Sequence, residues 1–448
     1  MFNDEWRMTR VLLLSTYDLG RQPFGLASPA AWLRAAGHDV TCVDLTRSRL
    51  NRESAAAADV VAFFLPMHTA TRLALPVIDT VREINPRARL IAYGLYAPLS
   101  EATLRDHGVM TILGPEFEAE LTRVVGHGDS GGAARLERIT HVQPDRSGLP
   151  PLTRYASLQM GNARKIVGYT EATRGCKHRC RHCPIVPVYD GRFRAVDADV
   201  VLADIRAQVA AGAEHITFGD PDFFNGPTHA MRIVERFAGE FPGVTFDATI
   251  KIEHLRAHAD LLPRLRDAGC AFVTTAAESV DDDTLAALEK GHTRADFEAV
   301  VAHCREIGLG LSPTFVAFTP WTTLDGYCEL LHAVDDLDLV PAVAPVQYAI
   351  RLLIPQGSRM LELPAVRDRV THFDAATLTH VWRHADPRVD RLQSALEQLA
   401  GTRVNAPRAD FFGRVWELAH DAAGRPVPPR RVPLARAAVP YLNEPWYC

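Results

Sequence analysis

Three cysteines, Cys176, Cys180 and Cys183, lie within eight residues of one polar segment, TRGCKHRCRHCPIVPVY. Thiolates this close together are suited to hold a metal centre, because the thiolate is the form of cysteine that ligates metals. Zinc in a closed structural site takes four ligands, and His178 or His182 is available as the fourth. An iron–sulfur cube normally takes four cysteine thiolates, so three would leave one iron open for a substrate.

The rest of the chain favours the iron–sulfur interpretation. No C-x-x-C pair elsewhere would complete a zinc site, and three core cysteines without metal are a poor match to so polar and arginine-rich a segment. Four other cysteines stand alone in apolar or helical contexts and are predicted to be small core residues. They are Cys42, Cys270, Cys304 and Cys328.

Composition bounds the class of protein. The 448 residues are 47% hydrophobic and carry a net charge of −5, with 49 Lys and Arg against 54 Asp and Glu. This length predicts two or three domains, and the charge shows no basic footprint for nucleic acid. No stretch reaches membrane-span length, and the N-terminus does not match a secretory signal. We therefore expect a cytoplasmic protein with reduced cysteines and no nucleic-acid or membrane partner.

Residues 1–145 show short apolar strands alternating with helical patterns over roughly the first 125 positions, and a Gly-rich linker follows at 126–137. This alternation predicts a doubly wound parallel sheet, which binds ligands beyond the carboxyl ends of its strands. The predicted strand ends are Ser15–Thr16, Pro66–Thr69, Gly94–Tyr96 and Gly114–Glu118.

Residues 146–355 repeat the alternation, and six βα units there predict a partial or full α/β barrel. The predicted strands are KIVGYTEA, HITFGD, VTFDATI, AFVTTAAES, LSPTFVAF and APVQYAIRL. The three cysteines come just after the first strand, at the edge where such barrels carry their chemistry. Residues 356–448 are predicted to be helical, over DAATLTHVWRHA, VDRLQSALEQLAG and ADFFGRVWELAHDAAG, with an extended tail after RPVPPRRVP.

A C-x-x-x-C-x-x-C motif after the first strand of a βα barrel resembles the radical S-adenosylmethionine (SAM) superfamily. The resemblance implies a 4Fe–4S cluster on Cys176, Cys180 and Cys183, whose open iron is chelated by SAM. It further implies one-electron cleavage of SAM to a 5′-deoxyadenosyl radical, which abstracts hydrogen from an unreactive C–H bond. The missing fourth ligand would then be the cosubstrate.

The same resemblance implies a set of cofactor-binding positions. These are His182 against the adenine, Gly219, Asp220 and Asp222 of FGDPDF near the SAM amino group, and Glu278 and Ser279 for the ribose or carboxylate. Asp222 is alternatively a helix cap. Lys251 and Glu253 near the third strand end, and Gln347 and Arg351 on the sixth strand, face the barrel mouth only in the predicted register, because a slip of one residue turns each away.

A doubly wound domain before such a barrel resembles the cobalamin-binding subgroup of the superfamily. The D-x-H-x-x-G loop that supplies a histidine to cobalt in many of these domains is absent. Either cobalamin binds without a protein ligand to cobalt, or the domain only positions the substrate. His68 stands at a predicted strand end and is a candidate to approach a ligand there or to cap a helix.

The chain also resembles a narrower group, the radical SAM proteins with a CUAEP or CCAEP tail, where U is selenocysteine. Stretches such as GCKHRCRHCPIVPVYDGRF, EHITFGDPDFFNGP and EPWYC carry this resemblance. It implies that the gene continues past Cys448 through a UGA codon into Ala-Glu-Pro. Paired with a selenol, Cys448 is predicted to be a catalytic or redox residue.

Together the resemblances imply a radical SAM enzyme acting on a small molecule or peptide, with an electron donor such as ferredoxin or flavodoxin. Cobalamin-dependent methyl transfer is the first hypothesis for the reaction. A cobalamin-independent rearrangement, oxidation or sulfur or selenium insertion is the alternative among enzymes. A non-catalytic iron–sulfur electron carrier is the alternative of another class.

Overall fold

A computed structural model of the chain describes residues 8–127, 136, 138–403, 406–431 and 441–443. Most of the predicted linker over 126–137, and Cys448, lie outside these residues. None of the helices within them is long and apolar enough to cross a membrane.

The N-terminal domain is the doubly wound parallel sheet that the sequence predicts, with strand order β2-β1-β3-β4-β5. Its strands are β1 (Arg10–Ser15), β2 (Asp39–Asp44), β3 (Val60–Phe64), β4 (Arg89–Tyr93) and β5 (Thr111–Leu113). Its helices are α1 (Phe24–Ala35), α2 (Arg52–Ala57), α3 (His68–Ile84), α4 (Tyr96–Leu99), α5 (Glu101–Asp106) and α6 (Glu118–His127). The central strand β3 is buried throughout because helices cover both faces of the sheet.

The second domain is a partial barrel built on five parallel strands, β7, β10, β11, β12 and β13, in chain order. Its strands are β6 (Ser157–Met160), β7 (Ala163–Thr170), β8 (Thr173–Gly175), β9 (Phe193–Ala195), β10 (His215–Phe218), β11 (Thr245–Thr249), β12 (Cys270–Glu278) and β13 (Gly310–Phe315). Its helices are α7 (Val186–Tyr189), α8 (Ala198–Ala210), α9 (Pro227–Glu240), α10 (Ile252–Ala257), α11 (Leu262–Asp267), α12 (Asp282–Ala287), α13 (Arg294–Ile307) and α14 (Leu324–Asp336). β6 pairs antiparallel with β7, and β8 pairs antiparallel with β9.

The predicted sixth barrel strand over 344–352 is wrong. Pro345–Tyr348 is a 3-10 helix, and only a single parallel bridge, between Phe318 and Arg351, continues the strand pattern there. Proline has no N–H to donate to a ladder, so Pro345 breaks a strand that the alternation of apolar residues had indicated.

The C-terminal region is only partly helical. Its elements are α15 (Pro364–Arg367), β14 (Val370–Asp374), β15 (Thr379–Trp382), α16 (Pro387–Arg403), α17 (Arg408–Ala422) and β16 (Tyr441–Asn443). The predictions of helix over 389–401 and 409–424 are confirmed, whereas helix over 374–385 is wrong, because β14 and β15 form an antiparallel hairpin. Asp374 makes the turn by accepting from the Ala376 N–H and the Thr377 hydroxyl.

Two parts of the C-terminal region, the hairpin tip and β16, pack against the other two domains. Leu378 at the hairpin tip is 3% exposed and packs into the core of the N-terminal domain. β16, which is the described part of the predicted extended tail, pairs antiparallel with β6 and widens the barrel sheet to seven strands. The tip of the hairpin therefore covers one side of the N-terminal strand ends.

Candidate active site

The cysteine loop leaves the carboxyl end of β7 and is anchored by its neighbours. Asn225 accepts from the Lys177 N–H at 3.0 Å and donates to the Gly175 carbonyl at 3.0 Å, so one amide side chain fixes the loop on both sides of Cys176. Gly175 has φ +72°, and a Cβ there would lie 2.4 Å from the Tyr189 ring. Only glycine suits this position.

The three thiols of this loop are free, and the surroundings of Cys176 and Cys183 disfavour an isolated thiolate. Burial raises the pKa of Cys176 to about 11 and that of Cys183 to about 12. The His178 N–H donates toward the Cys176 sulfur, and the Ile185 N–H donates toward the Cys183 sulfur. Positive charge from a metal centre would therefore be needed to hold these two cysteines as thiolates.

Within the described ranges, the predicted zinc alternative lacks a ready fourth ligand. A closed structural zinc site takes four ligands. Both candidate histidines already contact other side chains: His182 Nε2 lies 3.1 Å from Glu278 Oε1, and His178 Nε2 lies 3.0 Å from His254 Nε2. Three free thiols without a fourth protein ligand fit a four-iron cube that keeps one iron open.

Two buried lysines approach the loop. Lys251 Nζ lies 3.6 Å from Cys180 Sγ and 3.2 Å from Glu253 Oε2, while Lys290 is 3% exposed and faces Glu278. Ammonium groups so near three thiolates offset part of their negative charge, which makes the site a better host for an anionic centre. The sequence analysis predicts Lys251 near this site. It does not predict Lys290, which follows helix α12.

Glu278, one of the predicted cofactor-binding residues, lies at the end of β12. The strand bulges between Ala276 and Glu278, and Glu278 adopts φ +65°, which turns its carboxylate toward His182 at 3.1 Å and Lys290 Nζ at 3.4 Å. Burial opposes the charge of this carboxylate, yet Lys290 and His182 hold its pKa down at about 2. Glu278 and His182 thus lie together beside Cys183, whereas the Ser279 hydroxyl accepts from the Asp281 N–H and is used in the turn before α12.

Gly219 and Asp220, which follow β10, pack against the start of the cysteine loop. A Cβ at Gly219 would lie 1.8 Å from the Tyr169 hydroxyl, so glycine is required for this close approach. Asp220 accepts from the Ala172 N–H at 3.0 Å and from the Thr173 hydroxyl at 2.6 Å. Both of its oxygens therefore hold the loop, and burial raises its pKa to about 7.

Asp220→Asn is expected to change how stability depends on pH. The folded pKa of about 7 lies above the ordinary value of 3.8, so folding favours the protonated carboxyl and stability is lost as pH rises through 7. The amide cannot ionise. The stability of the variant relative to the parent should therefore improve from pH 5 to pH 8, as measured by urea unfolding, and parallel profiles would contradict this.

Asp222 takes the predicted capping role beside the cysteine loop, whereas Gln347 and Arg351 are engaged with other elements. Asp222 is wholly buried and caps the following 3-10 turn, Phe223–Asn225, with Oδ1 accepting from the Phe224 N–H. Gln347 accepts from the Phe315 N–H, and Arg351 donates to Asp390 and stacks on Trp382. Gln347 and Arg351 lie on the segment where the predicted sixth strand is replaced by a 3-10 helix and a single bridge.

A buried ion network links the two sheets, and the sequence analysis missed it. Arg174, which precedes the first cysteine by two residues, donates to Glu118 in a bidentate pair at 2.6 and 3.0 Å. It also donates to Glu171 at 2.8 Å and lies 3.7 Å from Glu116. Arg174 is 6% exposed and Glu118 is fully buried. In the sequence, one feature indicates that these segments meet: GPEFE and TRGC both follow predicted strands.

A cavity of about 230 Å³ lies where the strand ends of the two domains meet. Its lining includes Phe24, Phe64, Phe117, Tyr169, Glu171 and Tyr189. Gly25 makes room for one of these rings, since a Cβ there would lie 2.2 Å from Phe64. The cavity also touches Gly175 and Ile185, so it opens beside the cysteine loop.

Residues 170–322, which run from the end of β7 past β13 and contain all three cysteines, match the family described as the Radical SAM superfamily. This part of the chain therefore matches a radical SAM domain. The sequence-based recognition of this class is confirmed.

Curated relatives resemble part of the chain. Bacteriochlorophyllide d C-12(1)-methyltransferase of Chlorobaculum tepidum is 30% identical over 45% of this chain and 43% of its own length. Hopanoid C-3 methylase of Methylococcus capsulatus is 22% identical over 69% of this chain and 64% of its own length. The chain thus spans about half the length of the curated relatives it matches.

Solved structures share the fold over most of the chain. The cobalamin-dependent radical enzyme OxsB, with aqua-cobalamin and SAM bound, aligns with a TM-score of 0.67 at 14% identity, over 93% of this chain and 72% of that one. The methyltransferase TsrM of Kitasatospora setae, with tryptophan substrate and a SAM analogue bound, aligns with a TM-score of 0.59 at 18% identity, over 79% and 75%. The predicted architecture of a Rossmann-like domain followed by a partial barrel is confirmed.

Proposed function

We propose that the chain holds a 4Fe–4S cluster on Cys176, Cys180 and Cys183 and cleaves SAM to a 5′-deoxyadenosyl radical. The observation that carries this is a trio of free thiols that follows the carboxyl end of the first parallel strand, inside the residues that match a radical SAM domain. When bound, the cluster supplies the electron that cleaves SAM. An electron carrier without catalysis would have no use for the buried polar groups arranged around the open position.

The chain's own residues bind and orient the two cofactors. Lys251 and Lys290 balance the charge of the thiolates, and the buried Glu278 carboxylate fixes the imidazole of His182 through Nε2. We assign Glu278 and His182 to the SAM side of the loop, where an ionised carboxylate can accept hydrogen bonds from the ribose or the amino group. Asp220 and Asn225 position the loop rather than touch the cosubstrate.

The substrate is proposed to be a small molecule, or one side chain of a peptide, that enters the cavity between the domains. Its volume and its aromatic lining suit a compact and partly apolar group, while Glu171 and Arg174 offer polar contacts at one end. Cavities that take drug-sized ligands measure about 300–1,000 Å³. A reductant of the ferredoxin or flavodoxin type would deliver the electron.

Cobalamin-dependent methyl transfer is the second candidate reaction. It is favoured by the fold shared with OxsB and TsrM and by methyltransferases among the relatives. The residues described here do not fit a corrinoid as they stand. The cavity is small, Phe64 and Phe117 occupy the strand ends, and His68 Nε2 contacts the Thr377 carbonyl of the hairpin at 2.5 Å. No step of the proposed reaction is therefore assigned to cobalamin.

His68→Ala is expected to leave the spectrum of any bound cobalamin unchanged, because the histidine that could reach a ligand is held by the hairpin. The measurement is the cobalt(II) EPR spectrum of parent and variant after incubation with hydroxocobalamin and reduction. A histidine nitrogen coupling that disappears in the variant would contradict this expectation.

The proposed reaction is tested by incubating the reduced, cluster-loaded chain with a cell extract and SAM carrying a deuterated methyl group. Formation of 5′-deoxyadenosine together with a product that has lost hydrogen supports radical chemistry without methyl transfer. A product that carries the deuterated methyl group would instead identify methyl transfer as the reaction. SAM left intact would overturn the proposed function.

A further inference from the structure

Two histidines and an aspartate converge beside the cysteine loop, outside the set assigned to the cluster. His178 belongs to the loop itself, Asp222 to the turn after β10, and His254 to the first turn of α10. One ligating atom from each lies within 4.8 Å of the other two. His254 Nδ1 is 2.7 Å from Asp222 Oδ2, and His178 Nε2 is 3.7 Å from the same oxygen.

The contacts among these atoms leave buried polar atoms unsatisfied. Asp222 is wholly buried and His254 is 4% exposed, and Asp222 Oδ2 and His254 Nδ1 lie 2.7 Å apart without the geometry of a hydrogen bond. A buried polar atom without a well-placed partner is unfavourable. A cation bound by Asp222 Oδ2 and by one nitrogen of each imidazole would supply that partner.

The supporting contacts resemble those around metal ligands. Asp222 Oδ1 is held by the N–H groups of Phe224 and Lys251, which leaves Oδ2 directed to the two imidazoles. Outer contacts of this kind orient metal ligands. Glu253 Oε2 lies 3.4 Å from His178 Nδ1 and its side chain is 41% exposed, so the cluster of ligands reaches from the interior to the rim of the barrel.

We propose that His178, Asp222 and His254 form a second metal site, separate from the iron–sulfur cluster, that binds one divalent ion of the zinc or iron(II) type. Two imidazoles and one carboxylate are ligands that these ions favour. The ion would replace the present contact of 3.0 Å between the Nε2 atoms of the two histidines. It would tie the cysteine loop to the ends of β10 and β11.

The first experiment measures metals in the full chain after cluster reconstitution and incubation with Zn²⁺, followed by removal of loose metal. The parent should hold one zinc in addition to its iron. His254→Gln and Asp222→Asn should lose the zinc while keeping iron and sulfide, which separates a failure here from a failure of the proposed function. His303→Gln, a partly exposed histidine whose Nε2 contacts the Ala259 carbonyl, is the matched control and should keep both metals.

The second experiment does not depend on the cluster. A full chain with Cys176, Cys180 and Cys183 replaced by serine is titrated with Co²⁺ and followed by visible absorption. One Co²⁺ should bind with nitrogen and oxygen ligation, and His254→Gln should weaken this binding by more than the roughly 10–100-fold loss that outer contacts of a metal site cost. Absence of zinc from the parent, together with no Co²⁺ binding by the triple-serine chain, would show that the three residues form a metal-free hydrogen-bonding group. Zinc content and Co²⁺ affinity that are both unchanged by His254→Gln would show the same.

Discussion

Cys180→Ala is expected to leave the chain without its iron–sulfur cluster and without SAM cleavage. Cys180 is 7% exposed at the centre of the loop, and its sulfur faces Lys251 at 3.6 Å. Two thiolates cannot hold a cube that already lacks a fourth protein ligand. Iron and acid-labile sulfide should fall from about four of each per chain to a small residue, and the brown colour should be lost.

The same result is expected for Cys176→Ala and Cys183→Ala. Cys304→Ala is the matched control, because Cys304 lies on the core-facing side of α13, is 1% exposed, and has its pKa raised to about 12 by burial. That variant should keep the full iron content. Anaerobically purified parent chain that contains stoichiometric zinc and no iron would contradict the cluster assignment.

Arg174→Met is expected to destabilise the fold by about 3–5 kcal/mol, the usual cost of removing one partner from a buried ion pair. The arginine holds Glu118 and Glu171 within hydrogen-bond distance, and Glu118 is fully buried. Without the guanidinium these carboxylates lose their counter-charge, and Glu118 has no contact with water to replace it. The measurement is the midpoint and slope of urea unfolding at pH 7.

The pH dependence of this loss distinguishes charge from packing. Burial opposes the charge of Glu118, but Arg174 brings its pKa below the ordinary value of 4.5. The stabilisation is therefore present above pH 4.5 and is lost as pH falls. The difference between parent and Arg174→Met should shrink below that pH, and a constant difference would indicate lost packing alone. Arg179→Met removes an exposed pair with Asp190 in the same loop and should change stability by less than about 1 kcal/mol.

The sequence predicts most of the fold because both domains repeat a simple pattern. Buried runs such as Val11–Leu14 and Val60–Phe64 can only be central strands of a covered parallel sheet, and helices with one apolar face separate them. Two predictions are wrong for local reasons. The strand predicted over 344–352 is interrupted by Pro345, and the helix predicted over 374–385 is a hairpin whose turn is made by Asp374.

The site was predictable where a motif fixes the spacing and unpredictable where distant segments meet. His182 of the cysteine loop and Glu278 lie 3.1 Å apart, because strand ends share one edge of the sheet. Lys290 lies in a turn without a motif of its own, so only the folded chain shows that it faces Glu278. Arg174 likewise belongs to no motif. Its role in the buried ion network depends on glutamates of the N-terminal domain that lie 56 or more residues away in the sequence.

Radical chemistry is tested most directly by the yield of 5′-deoxyadenosine from the reduced, cluster-loaded chain supplied with SAM under anaerobic conditions. The parent chain and Cys304→Ala should both form it, and the three variants at Cys176, Cys180 and Cys183 should form none above the level of the reductant alone. A parent chain that carries about four irons and sulfides yet forms no 5′-deoxyadenosine would contradict the assignment.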